Sequence, residues 1–523
     1  MRSLSRSALR LYVCPSCRRD LQLGRRGFSS SSKLLQRPDI YDIVCVGGGP
    51  AGLGLVAALR SSPITSKLRI ALIESQDLSK SRSWNLEPTQ FSNRVSSLTS
   101  SSVSFLKDIG VWEHVDVARV QPYQEMRVWD GETGASISFD WSLEPQSTQM
   151  QTIATMTENL NLTRGLIACI ESSGGEVSIF SNTSVSAITN GEDYTDGPDL
   201  SSWPVLNLKH TSPNSNFPQP PAIAARLLVG ADGINSPVRS YAGISTDGWD
   251  YDRHGVVATL NISPPSQTPG PPLRTAYQRF LPGLGGPIAL LPLPGNHATL
   301  VWSTTVRNAA YLKSLPAEAL IAMVNAAFRL SMIDLKYMFT LPPSPTAASP
   351  TDSVRSNPTS TTLSTEHGDE LSWRLENTHI PPYAPPTVTS VQPGTVASFP
   401  LRHRHASTYI SPRIALVGDA AHVIHPLGGQ GLNLGLGDVA SLFRTIEYSI
   451  RHGMDIGDLL SLERYAAERY LVNAKIGGAC DLLHKAYNVP GNGPVAWGRS
   501  FGLNMVDRLP MLKGFMMKIA AGT

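Results

Sequence analysis

The sequence predicts an α/β protein in which a parallel sheet flanked by helices is interrupted by a mainly antiparallel sheet and followed by a helical C-terminal segment. Apolar runs that end in glycine and continue with helical spacing occur near both ends of the chain, at Gly47–Gly52 and Gly418–Gly437. Buried parallel strands that lead into helices give this pattern. Between them, short alternating segments separated by Pro and Gly indicate antiparallel strands. The parallel sheet is therefore expected to combine distant parts of the chain.

The first glycine-rich segment follows an apolar run. IYDIVCV leads into GGGPAG, PAGLGLVAALRSS continues with helical spacing, and a second apolar run occupies residues 68–73. This order is the β-α-β fingerprint of a Rossmann-like dinucleotide-binding domain. In that fingerprint Gly47 permits the tight turn, Gly49 lets a pyrophosphate approach the backbone, and Gly52 allows the helix to pack closely. A chance match is disfavoured because strand, helix and second strand occur in the required order.

An acid closes this β-α-β unit. Glu74 follows the second apolar run, 22 residues beyond Gly52, where a carboxylate accepts hydrogen bonds from ribose hydroxyls. A carboxylate at this place disfavours a bound 2′-phosphate, so FAD or NAD ranks above NADP. The motif itself does not separate FAD from NAD. Pro50 and Ala51 open the helix and are predicted to contact the cofactor together with the glycines.

The second glycine-rich segment predicts the other half of the site. The apolar run 413–417 ends at Gly418 and Asp419, after which a helical pattern begins whose unpaired N–H groups can face an anion or an electron-rich ring. The predicted contacts there are Gly428, Gly429, Gly431, Leu432 and Asn433. His422 and His425 suggest a proton relay, but loop packing and cofactor contact explain both, and neither is predicted to act as a base.

Two further residues are candidate cofactor contacts. Asp232 follows the apolar run 227–229 in the string ADGINSPVR, and an acid in this place either caps a helix or belongs to a functional turn. The whole string favours the functional turn. Arg94 is equally consistent with a phosphate contact and with an ordinary solvated side chain.

The first 37 residues differ in composition from the rest of the chain. They carry nine Lys or Arg against one acid, whereas the formal charge of all 523 residues is +3, so the remainder is acidic. Rich in Arg and Ser and without a continuous apolar run, this segment is typical of a mitochondrial transit peptide, with residues 26–29 as its cleavage site. A disordered basic tail is the alternative. Cys14 and Cys17 form CPSC, which is weak evidence for zinc without a second pair, and both would be lost on import.

The composition of the remaining chain is that of a globular protein, with 41% hydrophobic and 16% charged residues overall. No clustered basic footprint for nucleic acid is found. Cys45, Cys169 and Cys480 form no disulfide framework, which fits a reducing compartment. No apolar stretch reaches the roughly 20 residues that a spanning helix requires. The Met-rich segment 501–521 is expected either to contact a membrane or partner protein or to pack as a last helix on the core.

Three strings, GGGPAG, GADG followed by SPVR, and GDAAH followed by GQGLNLG, resemble in this order the FAD-binding signatures of the para-hydroxybenzoate hydroxylase-like flavin monooxygenases. The resemblance implies FAD rather than NAD. The strings GWDYDRHGVVATL, YQRFLPGLGGPIALLPLP, FPLRHRHA and GLNMVDRLPMLK further resemble the ubiquinone-biosynthesis hydroxylases. The likeness extends over residues 38–523, except the segments 196–221 and 342–370.

The resemblance also assigns roles to residues. It implies that the glycines of GGGPAG hold the pyrophosphate, that Glu74 binds the adenosine ribose and that Asp232 lies near the pyrophosphate. Asp419 would bind ribityl or ribose hydroxyls, and the helix that starts at residues 428–433 would face the pyrimidine edge of the isoalloxazine. No catalytic side chain and no metal ligand is predicted.

The resemblance implies a reaction and partners as well. The substrates would be O2 and a polyprenylated 4-hydroxybenzoate, hydroxylated through a flavin C4a-hydroperoxide at the ring position that becomes C5 of the quinone. Ferredoxin and ferredoxin reductase would supply electrons. The protein would sit peripherally on the matrix side of the mitochondrial inner membrane, in a complex with other ubiquinone-biosynthesis proteins. An NAD(P)H-dependent hydroxylase of a soluble aromatic compound and a flavin-binding scaffold remain alternatives.

The predicted domain organisation follows from these assignments. The segments are a transit peptide (1–37), three parts of the FAD-binding domain (38–121, 151–245 with a loop at 196–221, and 396–450), two parts of an inserted β-sheet substrate domain (122–150 and 246–395 with a disordered loop at 342–370), and a C-terminal helical region (451–523).

Overall fold

The computed structural model describes residues 37–140, 152–192, 198–211, 221–263, 274–343, 366–381 and 383–489, together with residues 493, 498, 501 and 502. The predicted transit peptide with its cleavage site and its two cysteines lies outside the described residues. So do most of the predicted loop 342–370 and the Met-rich residues from 503 onward.

The strands belong to three sheets. In chain order they are β1 (Asp39–Val46), β2 (Ile70–Ile73), β3 (Val95–Leu98), β4 (Val120–Tyr123), β5 (Glu125–Asp130), β6 (Ser136–Asp140), β7 (Ala154–Glu158), β8 (Val177–Phe180), β9 (Thr183–Asn190), β10 (Pro204–His210), β11 (Ile223–Gly230), β12 (Thr246–Ile262), β13 (Thr275–Leu281), β14 (Gly286–Leu293), β15 (His297–Thr305), β16 (Val388–Val391), β17 (Ala397–Ala406), β18 (Ile410–Ser411), β19 (Ile414–Leu416) and β20 (His422–Val423).

The helices pack on the faces of these sheets. In chain order they are α1 (Pro50–Ser61), α2 (Leu78–Arg82), α3 (Ser100–Asp108), α4 (Asn159–Ser172), α5 (Pro237–Tyr241), α6 (Val306–Ser314), α7 (Ala317–Arg329), α8 (Met332–Met338), α9 (Glu366–Glu376), α10 (Gly431–Arg451) and α11 (Leu459–Asn488).

The first sheet is parallel at its centre. Its order is β18-β19-β11-β1-β2-β8, and β1 pairs in parallel with both β11 and β2. These strands are apolar without alternation, because helices cover both faces of a doubly wound sheet. The buried core on this sheet includes the strands β1, β2 and β11 and the helices α1 and α10. The predicted parallel sheet with strands from both ends of the chain is confirmed.

The second sheet is mainly antiparallel. Its order is β20-β17-β12-β15-β14-β13-β5-β6, with β16 beside β12, and only the pair β13 and β5 runs in parallel among the pairs of this sheet that the structure describes. It has a core of its own, in which Trp302 of the sheet and Phe328 of α7 are buried. A three-stranded antiparallel sheet, β3-β7-β4, lies beside β14.

Three parts of the predicted organisation differ from the structure. The segment 196–221, expected to be a loop, contains β10, which pairs with β9 and β11, so a Pro-rich composition did not prevent strand formation. The last residues of the predicted loop 342–370 begin α9. The strand β17 pairs with β12 in the second sheet, so the predicted return to the first domain at residue 396 is wrong for this strand.

A buried ion pair fastens the three-stranded sheet. Arg119 Nε donates to Glu158 Oε2 at 2.6 Å, and both side chains are almost fully buried. A second guanidinium N–H donates to the Gln90 carbonyl at 2.6 Å. Removing one partner of such a pair leaves the other charge buried without compensation.

We expect Arg119→Ala to lower the free energy of unfolding by about 3–5 kcal/mol, because the Glu158 carboxylate stays buried and unpaired. Denaturant unfolding of the purified variant measures the loss. The matched control is Arg82→Ala, which breaks an exposed pair with Glu171 and should cost less than about 1 kcal/mol. Equal losses in the two variants would contradict the argument.

Candidate cofactor site

The register of the first sheet brings the sequence motifs to one edge. Val46 is opposite both Ile73 and Gly230, and Gly230 is opposite Leu416. The four neighbouring parallel strands β2, β1, β11 and β19 therefore end at the same level of the sheet. The residues that follow them lie side by side. Ligands of open α/β sheets bind at this carboxyl edge. The three glycine- and aspartate-containing strings, although far apart in sequence, converge there.

Backbone contacts require glycine at two positions of the first motif. Gly47 has φ +112°, and a Cβ atom there would lie 2.2 Å from the Ala231 carbonyl oxygen. A Cβ atom at Gly52 would lie 1.9 Å from the Gly47 carbonyl oxygen. Both distances are far below van der Waals contact, so these residues allow the β1 turn to approach β11 and α1. Their predicted contact with a pyrophosphate stays a prediction.

Two helices present uncapped N-termini at this edge. Gly49 precedes α1 and Gln430 precedes α10, and neither helix has a side-chain cap. A Cβ atom at Gly49 or Gly431 would meet nothing within 4 Å. The first N–H groups of a helix lack intrahelical acceptors and carry partial positive charge. Open space above such N–H groups fits an anionic or electron-rich ligand.

Small residues join the two halves of the site. Gly418, with φ +59°, follows β19, and a Cβ atom there would lie 3.3 Å from the Ala51 side chain of α1. A Cβ atom at Gly435 of α10 would lie 3.4 Å from the Gly418 Cα. The first turns of α1 and α10 therefore meet at the Gly418 backbone. A cofactor at this edge contacts both ends of the chain.

Glu74 lies at the end of β2 and holds the glycine turn. Its Oε2 accepts a hydrogen bond from the Gly48 N–H at 2.5 Å, and its Oε1 accepts one from the Gln76 N–H at 2.6 Å. The side chain is half-buried, so a carboxylate edge remains for a ligand hydroxyl. Glu74 thus also stabilises the glycine turn, a role that the sequence did not predict.

Asp232 carries an unsatisfied polar atom. Its Oδ2 accepts a hydrogen bond from the Val238 N–H at 3.2 Å, but its buried Oδ1 has no partner among the described residues. Burial raises the pKa of this carboxyl, and hydrogen bonds from Ser236 and Val238 oppose the rise. Ser236 is the N-cap of α5, and Asp232 accepts the N–H of Val238 in the first turn of the same helix, so one of its oxygens has a capping role. The orphaned oxygen therefore fits the functional-turn interpretation and the presence of a ligand.

Asp419 and Arg94 are exposed. Asp419 is the exposed member of a short turn, Gly418–Ala420, whose other residues are buried. Its carboxylate is available to the hydroxyl groups of a ligand. Arg94 precedes β3, and its guanidinium makes no hydrogen bond or ion pair with the residues that the structure describes. Its two interpretations stay open.

The predicted ring-facing helix start is held by its own side chains. The Asn433 amide donates to the Ser97 carbonyl at 2.7 Å and to the Gly429 carbonyl at 3.1 Å, and its Oδ1 accepts from the Thr99 N–H at 2.9 Å. This amide ties α10 to β3 and α3. A cofactor contact of Asn433 is therefore expected from its backbone N–H.

The neighbours of Asn433 have different environments. Gly428 ends a short 3-10 turn, Gly429 has φ +62°, and Leu432 packs against the core of the first sheet. This left-handed conformation favours glycine, which has no Cβ atom to crowd the backbone. The predicted contacts at these positions are consequently backbone contacts.

Asp438, one residue beyond the second glycine-rich segment, was not among the predicted site residues. This fully buried carboxylate accepts hydrogen bonds from the Gly418 N–H at 3.1 Å and from His422 Nε2 at 2.5 Å. Its other oxygen accepts from Arg469 Nε at 2.9 Å and Asn473 Nδ2 at 2.8 Å. The sequence did contain a signal for this buried role, because Asp438 falls on the apolar side of the predicted helix, where an acid is unusual.

The electrostatics of Asp438 favour the ionised form. Burial by itself raises the pKa of the carboxyl, but His422, Arg469 and Asn473 outweigh burial and hold the pKa below its ordinary value. The ionised carboxylate thus fixes the Gly418 turn to α10 and α11.

The two histidines of the segment have structural partners. His422 donates to Asp438, and His425 is fully buried and accepts a hydrogen bond from the Leu427 N–H at 3.1 Å. Burial, with a smaller contribution from His484, lowers the pKa of His425 to about 3. His425 is therefore a neutral imidazole that holds the loop before α10, as expected if these histidines serve loop packing. That neither histidine acts as a base stays a prediction.

We expect Asp438→Asn to lower the free energy of unfolding by about 3 kcal/mol at neutral pH, since the Arg469 charge loses its buried partner. The depressed pKa makes the wild-type contribution present above the unfolded Asp pKa of about 3.9 and lost as pH falls through the folded pKa. The difference between the two proteins should therefore shrink in acid. Denaturant titrations over a pH series measure it.

The control for this series is Asp108→Asn, an exposed acid of α3, which should change the free energy of unfolding by less than about 0.5 kcal/mol. A pH-independent difference between wild type and Asp438→Asn would show that the charge of Asp438 does not carry the effect.

Comparison with known proteins agrees with this geometry. The family model described as "FAD binding domain" matches residues 41–336 and 335–477. The chain is 37% identical over 501 residues to the mitochondrial ubiquinone biosynthesis monooxygenase COQ6 of Schizosaccharomyces pombe, covering 94% of each chain. It is 32% identical over 486 residues to the human protein of the same name, covering 92% of each. The predicted cofactor, FAD, is confirmed.

Solved structures share the fold. The p-nitrophenol 4-monooxygenase PnpA of Pseudomonas putida superposes with a TM-score of 0.60 at 15% identity, over 92% of this chain and 97% of that one. PqsL of Pseudomonas aeruginosa, a probable FAD-dependent monooxygenase, gives 0.58 at 18% identity, over 89% and 100%. The match to the FAD-binding family model and the identity to the COQ6 relatives show that the chain belongs to the FAD-dependent monooxygenase family that contains the mitochondrial COQ6 proteins.

Proposed function

We propose that this protein hydroxylates the aromatic ring of a polyprenylated 4-hydroxybenzoate in ubiquinone biosynthesis, at the position that becomes C5 of the quinone. The observation that carries the proposal is the convergence of the three FAD signatures at one sheet edge. It occurs in a chain that is similar over 94% of its length to a protein named for that pathway. The reaction class, an FAD-dependent monooxygenation, is that of the family.

The residues at the edge fit FAD. The orphaned Asp232 oxygen, the exposed Asp419 carboxylate and the two open helix N-termini are complementary to a molecule with hydroxyl groups, a pyrophosphate and an electron-rich ring. In this arrangement the α1 N-terminus holds the pyrophosphate and Glu74 the adenosine ribose. Bound FAD supplies the redox chemistry and the activation of O2.

The α10 N-terminus is assigned to the flavin ring. Its first N–H groups carry partial positive charge, and in this proposal they face the pyrimidine edge of the isoalloxazine. These fixed dipoles would stabilise negative charge on the reduced ring without a titrating side chain. The Asp438, Asn433 and His425 contacts keep this helix start in place. No side chain is assigned as the phenol-activating base.

The cellular setting is part of the proposal. We infer that the protein works in mitochondria, peripherally on the matrix side of the inner membrane, with ferredoxin and ferredoxin reductase as electron donors and other ubiquinone-biosynthesis proteins as partners. The Arg- and Ser-rich first 37 residues and the mitochondrial names of the relatives support the compartment. Among the described residues, no helix has both the length and the apolar character needed to cross a bilayer.

Reconstitution tests this function. The purified protein should show a flavin spectrum and convert prenylated 4-hydroxybenzoate to its ring-hydroxylated product with ferredoxin, its reductase and NADPH, but not with NADPH alone. Turnover of a soluble aromatic compound with NADPH alone would favour the soluble-substrate hydroxylase instead. Restoration of quinone synthesis by a folded variant that has lost FAD would favour the scaffold.

We expect Gly49→Val and Gly431→Val to abolish FAD retention while leaving the fold intact. Each new side chain enters open space in the protein but occupies the volume above a helix N-terminus that the cofactor needs. The expected loss is at least about 100-fold in FAD affinity, because a displaced pyrophosphate or ring loses several charge-assisted hydrogen bonds. Flavin absorbance and fluorescence after gel filtration measure it.

The control is Gly478→Val, another glycine whose Cβ would meet nothing within 4 Å, placed on an exposed face of α11. It should retain FAD. Full flavin content in Gly49→Val and Gly431→Val would place the cofactor elsewhere.

A further inference from the structure

The exposed face of α11 changes character along its length. In the first half the exposed residues include Glu463, Arg464 and Glu468, as expected for a helix in contact with water. From residue 471 onward this face is almost entirely apolar. The residues of this outer face of α11 are Leu471, Val472, Lys475, Gly478, Ala479, Leu482 and Leu483.

These exposed residues form one strip along the helix, apolar except for Lys475. Positions 471, 475, 478 and 482 are spaced i, i+4, i+7 and i+11, so they share a side of the helix. Leu471 is 60% exposed and Leu482 is 69% exposed. At 1.5 Å per residue the strip from 471 to 483 is about 18 Å long. A strip of this length marks an interaction surface rather than scattered exposed residues.

The charges on the strip have one sign. Lys475 and Lys485 are exposed, whereas Asp481, the acid within residues 470–489, is buried, where it accepts hydrogen bonds from Tyr251 Oη at 3.1 Å and Lys485 Nζ at 2.8 Å. Beside the strip lies Trp249, 42% exposed, with Lys485 Nζ 4.6 Å from its ring centre. Apolar residues bordered by lysine and tryptophan match a lipid surface with anionic headgroups.

The opposite face of the same helical stretch contacts the cofactor site. A Cβ atom at Gly477 would lie 3.3 Å from Ile424, and Tyr487 packs in one cluster with Leu427, both residues of the loop before α10. Only the helix separates the outer face from that loop, a distance of about 10 Å. A surface so close to the site suits a substrate that resides in a membrane.

We propose that the outer face of α11 docks on an anionic lipid bilayer, with its leucines at the level of the acyl chains and Lys475 at the headgroup phosphates. The meaning of this docking for catalysis rests on the proposed lipid substrate, but the binding itself does not. Lys485 is paired with Asp481, so the positive charge of Lys475 is what favours an anionic bilayer over a neutral one.

The test compares full-length wild type with Leu471→Glu/Leu482→Glu in flotation with vesicles of phosphatidylcholine containing a minor fraction of cardiolipin. We expect the double variant to bind these vesicles at least about tenfold more weakly, because two carboxylates replace two inserted leucines. Lys475→Gln, which leaves the Lys485–Asp481 pair intact, should weaken binding to the anionic vesicles selectively. FAD content and melting temperature should stay at the wild-type value in both variants.

The matched control is Ile333→Glu, an 81% exposed apolar residue of α8, which should bind vesicles as wild type does. The inference is overturned if wild type ignores the anionic vesicles, or if the leucine variant binds them unchanged. It is equally overturned if deletion of residues 503–523 abolishes binding that the leucine variant retains, since that segment would then be the anchor. Vesicle binding needs no turnover, so a protein that docks but does not hydroxylate prenylated substrate contradicts only the proposed function.

Discussion

The buried carboxylate of Asp438 joins the elements on which the site depends. It receives the N–H of the turn after β19, the imidazole of His422, and a guanidinium and an amide from α11. Burial of the carboxylate costs desolvation free energy, which these hydrogen bonds offset, and together they fix the geometry of the groups that donate them. The Gly418 turn in its turn positions the first turn of α10 against that of α1. One ionised side chain thus links the parallel sheet, α10 and α11.

The cofactor site depends on backbone atoms rather than on reactive side chains. Gly47 and Gly52 are fixed by contacts of less than 2.5 Å that any Cβ would make, while Gly49 and Gly431 border open space. The first pair builds the turn, and the second pair leaves room for a ligand above helix N–H groups. The polar side chains near the site, among them His422, Asn433 and Glu74, hydrogen-bond within the protein and hold this backbone in place.

The α11 helix relates the site to the surface. Its inner face supplies Arg469 and Asn473 to Asp438 and packs Tyr487 against Phe280 of the second sheet at 3.7 Å between ring centres. Its outer face changes from charged to apolar over the stretch nearest the loop before α10. The same helix therefore supports the loop before α10 on one side and offers an apolar strip on the other.

The sequence by itself determined the fold class and most of the elements of the site. Apolar runs that end in glycine specify parallel strands, and parallel strands leave a sheet at the same edge, so the order of residues alone predicts that Gly47, Glu74, Asp232 and Asp419 lie together. Tertiary structure alone decided that β10 forms within a Pro-rich segment and that β17 joins the second sheet, since strand pairing overrides local composition. It also decided the role of Asp438, because Arg469 and Asn473 meet it only through the packing of α11 on α10. The periodicity of a sequence indicates which residues are buried. Which residues of another helix will hydrogen-bond to them depends on how the two helices pack.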